Sequence, residues 1–180
     1  MDRSSPDSAA ARLARLIRAA NRAASHVAHA ALWLLSGVVF YDVGVRSLGS
    51  PTVWGSEVSI YLMLAIAFLG AGHTWTQGGH FRVTVLVDAV SPKACRALDF
   101  VCTAVALAFT IAFTIGAWRL AAFSFTLKFT TPTVLRVPIW LLQGLIVLGG
   151  VFLALALFEE LLRIARGERR DAATPLLPTE

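Results

Sequence analysis

The chain has 180 residues, of which 57% are hydrophobic and 15% charged, with a formal net charge of +5. Its mean hydropathy is +0.69, and its apolar residues fall into long blocks that a water-soluble core of this size does not need, which excludes a soluble globular domain. The basic residues bunch beside those blocks, so the positive balance points to membrane orientation and anionic lipid and away from nucleic acid.

Residues 1–25 form a basic cytoplasmic segment. Arg12, Arg15, Arg18 and Arg22 share about a third of a helical wheel, with Leu13, Leu16 and Ile17 opposite them. That spacing predicts a short amphipathic helix lying on the cytoplasmic leaflet, the alternative being a solvated basic tail. A cleaved signal does not fit, because the small-residue triplet Ala28-His29-Ala30 opens the apolar run instead of following it.

A helical crossing of the hydrocarbon core takes roughly 20 apolar residues. Four stretches fit: Val27 to Val45, Val58 to Trp75, Phe100 to Trp118 and Val137 to Phe158. Only the first contains a charge, Asp42. Backbone groups inside lipid must bond within their own segment or close a barrel, and continuous apolar runs choose helices. The predicted fold is therefore all-α integral membrane, a four-helix transmembrane domain over 26–163 followed by a disordered cytoplasmic tail at 164–180.

Lys and Arg concentrate before the first span (Arg3, Arg12, Arg15, Arg18, Arg22), between the second and third (Arg82, Lys93, Arg96) and after the fourth (Arg163, Arg166, Arg169, Arg170). The other two loops hold only Arg46, then Arg119, Lys128 and Arg136. By the positive-inside rule both termini face the cytoplasm and the first and third loops face outward.

At the outer end of span one, Asp42 lies one helical turn before Arg46, close enough to pair with it where a lone carboxylate would be costly. A link containing Gly49 and Pro51 leads to Trp54, an interfacial anchor, and to Glu57 in the first turn of span two, where the helix dipole favours an acid. These are ordinary features of a helix start. The functional alternative is that Arg46 and Glu57 form a polar fixture orienting this hairpin or facing a partner.

Span two leaves through Gly70-Ala71-Gly72, and Gly149-Gly150 lies within span four; small residues of this kind let helices approach closely in lipid. The exit continues as Gln77-Gly78-Gly79-His80-Phe81-Arg82. Residues 81–90 fit both periods: Phe81, Val83, Val85 and Val87 alternate, while Val83, Leu86, Val87 and Val90 mark a helical face. Beside a membrane a short interfacial helix is preferred, stopped by Pro92 and followed by Arg96. Cys95 and Cys102 stand near the cytoplasmic side, where a disulfide is not expected, and no metal-ligand spacing occurs. The longer outer loop, 120–136, is basic and aromatic, carrying Phe123, Phe125, Lys128, Phe129 and Arg136, which suits an acidic partner or lipid headgroups. Pro138 and Trp140 open span four.

The ordered set Arg46, Trp54, Glu57, Gly70, Gly79-His80-Phe81-Arg82-Val83, Ser91-Pro92, Arg96, Pro138-Ile139-Trp140 and Gly149 resembles the small permease (DctQ-like) subunit of tripartite ATP-independent periplasmic (TRAP) transporters, over about residues 25–165. Thr84, Gln143 and Val147 depart from that pattern. The resemblance implies a multi-pass subunit of the bacterial inner membrane without enzymatic activity or cofactor. Its implied partners are a large permease subunit that forms the transport path and a periplasmic solute-binding protein that delivers the solute, commonly an organic acid, in uptake coupled to a sodium gradient. Within that frame Asp42, Arg46, Trp54 and Glu57 are expected to organise the outer hairpin, and Gly70, Gly72, Gly149 and Gly150 to pack helices. Gly79, His80, Arg82, Pro92 and Arg96 would form a cytoplasmic interface, and Lys128 and Arg136 would dock the binding protein.

Two other classes carry less weight. A small oligomeric exporter needs polar residues lining a pore, and only Asp42 and Glu57 are on offer. A haem-binding electron carrier would use His26, His29 and His73, which lie at one depth but close to the headgroups.

Overall fold

The computed structural model describes residues 6–50, 52–76 and 92–166. Four helices make up almost all of it: α1, Pro6–Ser47; α2, Trp54–Thr76; α3, Pro92–Thr126; and α4, Ile139–Ala165. All four are long and apolar enough to cross a membrane. They contain the expected spans, the fourth helix starting two residues later at Ile139. Gly79, His80, Arg82 and the 81–90 segment, for which a helix was preferred, lie outside the described residues, as does the tail from 167 onward.

α1 departs from expectation at its start. The arginine-bearing segment is not a separate helix but the first turns of a 42-residue α1, about 63 Å at 1.5 Å per residue. No Gly or Pro interrupts it between Pro6 and Gly37, and alanine, the best helix former, is its commonest residue there. Ile17, Asn21, Ala24, Ser25, Ala28 and Ala31 are all buried, a stripe at helical spacing that faces protein. Of the apolar residues opposite the arginines, Ile17 meets the bundle and Leu16 stays exposed.

Prolines and left-handed residues mark the boundaries. Pro6 and Pro92 occupy first helical positions, where their missing N–H costs no hydrogen bond. α1 closes with Gly49 at φ 82, its N–H reaching Arg46 O at 3.1 Å while Ser50 N–H reaches Val45 O at 3.2 Å. α3 closes the same way with Lys128 at φ 52: Lys128 N–H to Phe125 O at 3.2 Å and Phe129 N–H to Ser124 O at 3.1 Å. Both are Schellman ends, and the second carries the apolar contact that accompanies them, Phe129 standing edge-on to Phe123 at 6.1 Å. Glycine takes the left-handed position freely; at Lys128 it costs about 1 kcal/mol.

α4 packs against α3 on one side and α2 on the other, α2 packs against α1, and α1 touches α4 more sparsely, so the order across the molecule is α1, α2, α4, α3. The centre is built from small side chains: Ala24, Ala28 and Leu69, with Ala65, Leu145 and Phe152 against them. In lipid, packing and not water exclusion holds helices together, so close backbone approach matters most. A Cβ on Gly149 would lie 2.5 Å from Phe68 O, and one on Gly72 would lie 3.0 Å from Phe152 O while running into Asn21. A Cβ on Gly150 would strike the Thr114 hydroxyl. These three glycines therefore set the α2–α4, α1–α2–α4 and α3–α4 spacings. Gly70 is less confined, since a Cβ there would stand 4.0 Å from that of Ala28. Hydroxyls within the spans bond back to their own helices, as Thr110 does to Ala106 O at 2.8 Å and Thr114 to Thr110 O at 2.7 Å. Large apolar side chains such as Trp33, Phe40, Phe109 and Trp118 point outward.

Candidate docking and assembly site

The bundle end that carries the α1–α2 and α3–α4 connections has two groups of polar contacts. Asp42 accepts a hydrogen bond from Arg46 Nη2 at 2.9 Å through one oxygen and from the Thr52 hydroxyl through the other. The carboxylate thus ties the end of α1 to the link that follows it. Gly55 is buried against this pair, where a Cβ would lie 2.8 Å from Thr52 Oγ1 and 3.1 Å from Asp42 Oδ1. Beside it the rings of Tyr41 and Trp54 stack at 5.9 Å, closing the same hairpin from its apolar side.

Glu57, in the first turn of α2, reaches a different element. Its Oε1 accepts the N–H of Val134 at 3.0 Å and its Oε2 the N–H of Leu135 at 3.4 Å, so one carboxylate holds two backbone donors of the α3–α4 loop. Arg46 and Glu57, expected to act as one fixture, are each engaged elsewhere: Arg46 with Asp42, Glu57 with that loop.

The loop itself is compact. An antiparallel bridge joins Thr130 and Pro138; Ile139 N–H bonds Phe129 O at 3.0 Å and Thr131 N–H bonds Val137 O at 2.9 Å. Thr131 Oγ1 accepts from Val137 N–H at 3.0 Å and from the Thr133 hydroxyl at 2.9 Å. Both cations proposed from sequence for docking have left-handed backbone, Lys128 at φ 52 and Arg136 at φ 45, and both are exposed. Aromatic rings surround the loop base, Phe125 meeting Trp140 edge-on at 5.5 Å.

At the opposite end, where α1 begins and α4 ends, the links are ion pairs between side chains. Arg18 Nη1 lies 2.6 Å from Glu159 Oε1, joining α1 to α4, and Arg163 Nη2 lies 2.8 Å from Glu160 Oε1 within α4. One helical turn into the bundle, Asn21 is fully buried, its Nδ2 donating to Ile17 O at 3.1 Å and its Oδ1 facing Gly72. Pro92 begins α3 and Arg96 is exposed on its first turns.

Sequence reasoning passed over Thr52, Gly55, Asn21, Glu159 and Glu160. The carboxylate pair closing an apolar span, with an arginine-rich helix elsewhere in the chain, was the signal available for Glu159. Asn21, set between Ile17 and Ala24 at helical spacing, was the signal for a polar core position.

No Asp, Glu, Lys or Arg occurs between Arg22 and Asp42, between Glu57 and the end of α2, between Asp99 and Arg119, or between Ile139 and Phe158. Charge is thus confined to the helix ends. Among the described residues no three His, Cys, Asp or Glu side chains cluster to hold a metal ion. His29 Nδ1 instead donates to Ser25 O, 2.6 Å away on its own helix.

The chain shows no significant similarity to any curated protein. The family model of the DctQ component of tripartite ATP-independent periplasmic transporters matches it over residues 35–167.

Proposed function

This chain belongs to the DctQ component family of tripartite ATP-independent periplasmic transporters, and from that premise we propose that it is the subunit that braces the large permease and helps dock the solute-binding protein. As a family member it is a non-enzymatic, multi-pass membrane component of a transporter. The observation that carries the bracing role is the placement of charge. Transport paths for ions and carboxylates need polar or ionised groups at midplane depth, and here the middle of every helix is free of Asp, Glu, Lys and Arg.

In this reading uptake draws on an ion gradient, sodium being the one expected, and the solute is an organic acid chosen by pockets on the other chains. Both termini are cytoplasmic and the α1–α2 and α3–α4 loops periplasmic, following the distribution of Lys and Arg. Exposed Arg12 and Arg22 then meet anionic headgroups along the start of α1. Asp42, Arg46, Trp54 and Glu57 organise the outer end for assembly; Gly79, His80, Arg82, Pro92 and Arg96 contribute a cytoplasmic interface. Lys128 and Arg136 supply the charge that meets the binding protein, a role their backbone supports, since two non-glycine residues kept in left-handed conformation near one loop are a cost that function explains. Purification in mild detergent tests the assignment: a large multi-span partner is expected to accompany the chain, and a stable homo-oligomer in its place would contradict it.

A further inference from the structure

We propose that Glu57 is a positioning residue: from α2 it presets the direction of the α3–α4 loop, so that Lys128 and Arg136 meet a carboxylate-bearing face of a soluble protein partner. The inference rests on the docking role proposed above for those two cations. Residues 133–136 form a turn closed by Arg136 N–H on Thr133 O at 3.3 Å. The N–H groups of its two central residues, Val134 and Leu135, are ordinarily left to water; here the two oxygens of Glu57 take both.

The remaining bonds of the loop run between its own residues or back to the ends of α3 and α4, the helices it joins. The bridge at Thr130 and Pro138 and the contacts around Thr131 define its shape, yet they leave its tilt against the bundle open. Glu57 adds a contact from α2, a helix the loop does not join, and so fixes the tilt against the far side of the bundle. With the turn held in this way, Val134 and Leu135 stay outward, 66% and 42% exposed, although both are aliphatic. Exposed Lys128 and Arg136 accompany them and have no carboxylate partner among the described residues, because the nearby acid is engaged with backbone.

Two unpaired cations around a small aliphatic tip complement an acidic protein surface with a shallow apolar spot. Anionic headgroups share the charge but not the need for geometry. A lipid in a fluid leaflet follows a cation wherever it sits, whereas a rigid protein face rewards a loop already in position.

The test uses the complete transport complex in nanodiscs and the solute-binding protein of the same system, with hydrogen exchange of the Val134 and Leu135 amides followed in parallel. Glu57→Ala is expected to speed that exchange and to weaken binding about tenfold, as when only a tenth of loop orientations remain competent. Glu57→Gln, which keeps one acceptor oxygen, should fall between that variant and the wild type, and it carries the test if the alanine variant fails to assemble. Normal binding by Glu57→Ala despite faster exchange, alongside weakened binding by the double reversal Lys128→Glu/Arg136→Glu, would overturn the positioning role alone. Unchanged binding by the double reversal would instead overturn the docking reading beneath it. An effect of the reversal that appears in anionic nanodiscs and vanishes in neutral ones would assign the loop to lipid.

Discussion

The two ends of this bundle are fastened by different kinds of bond. At the loop end, Glu57 grips two backbone N–H groups and Asp42 joins α1 to the link before α2, so each carboxylate fixes the path of the chain. At the end where the chain enters and leaves, Arg18 meets Glu159 and Arg163 meets Glu160, long side chain to side chain. The Arg18 side chain is half exposed, and a pair of that kind contributes little once salt and side-chain entropy are counted. The bonds of Glu57 to backbone specify shape, while a half-exposed ion pair such as Arg18–Glu159 mainly holds neighbours together. The difference places the specified surface at the loop end.

Both ends hang from the same glycine-spaced middle, so the severest way to abolish the contrast is to force the helices apart. Gly149→Val would drive a side chain into the Phe68 backbone; a loss of about 3 kcal/mol or more is expected, read as a collapse of the melting temperature in mild detergent followed by tryptophan fluorescence. Next comes Glu57→Ala, which returns two exposed loop amides to water and should cost about 1 kcal/mol in the same melting measurement. Lys128→Gly should act in the opposite direction. Relieving the left-handed backbone gains about 1 kcal/mol, while removing the cation weakens docking in a binding titration, so a more stable protein that docks less well is the predicted combination. Arg18→Ala should cost least, below about 1 kcal/mol, and only at low ionic strength; a salt-independent effect as large as that of Glu57→Ala would erase the distinction between the ends.

The spans were legible because hydropathy and length together leave few choices, and Gly49 was legible as part of the link that follows α1. What escaped the sequence is what depends on a partner far along the chain. Glu57 reads as a dipole-favoured acid near Arg46, and nothing local says that its bonds go to Val134 and Leu135, since backbone N–H groups are the same at every residue. Gly70 and Gly149 look equivalent as small residues in a span, yet only Gly149 meets neighbouring backbone at contact distance. Of the residues opposite the arginine stripe, Ile17 is buried against the bundle while Leu16 is exposed, a distinction that local periodicity does not make. Lys128 could not be read as a helix closure because lysine seldom takes the left-handed position that the Schellman end requires.

The central claim is that this chain supports transport and does not perform it. Vesicles containing the chain alone, and vesicles containing it with the large permease subunit, are each given an inward sodium gradient, the binding protein and the solute it carries. Solute accumulation only in vesicles holding both membrane subunits is the predicted result, and accumulation in vesicles holding this chain alone would contradict the account.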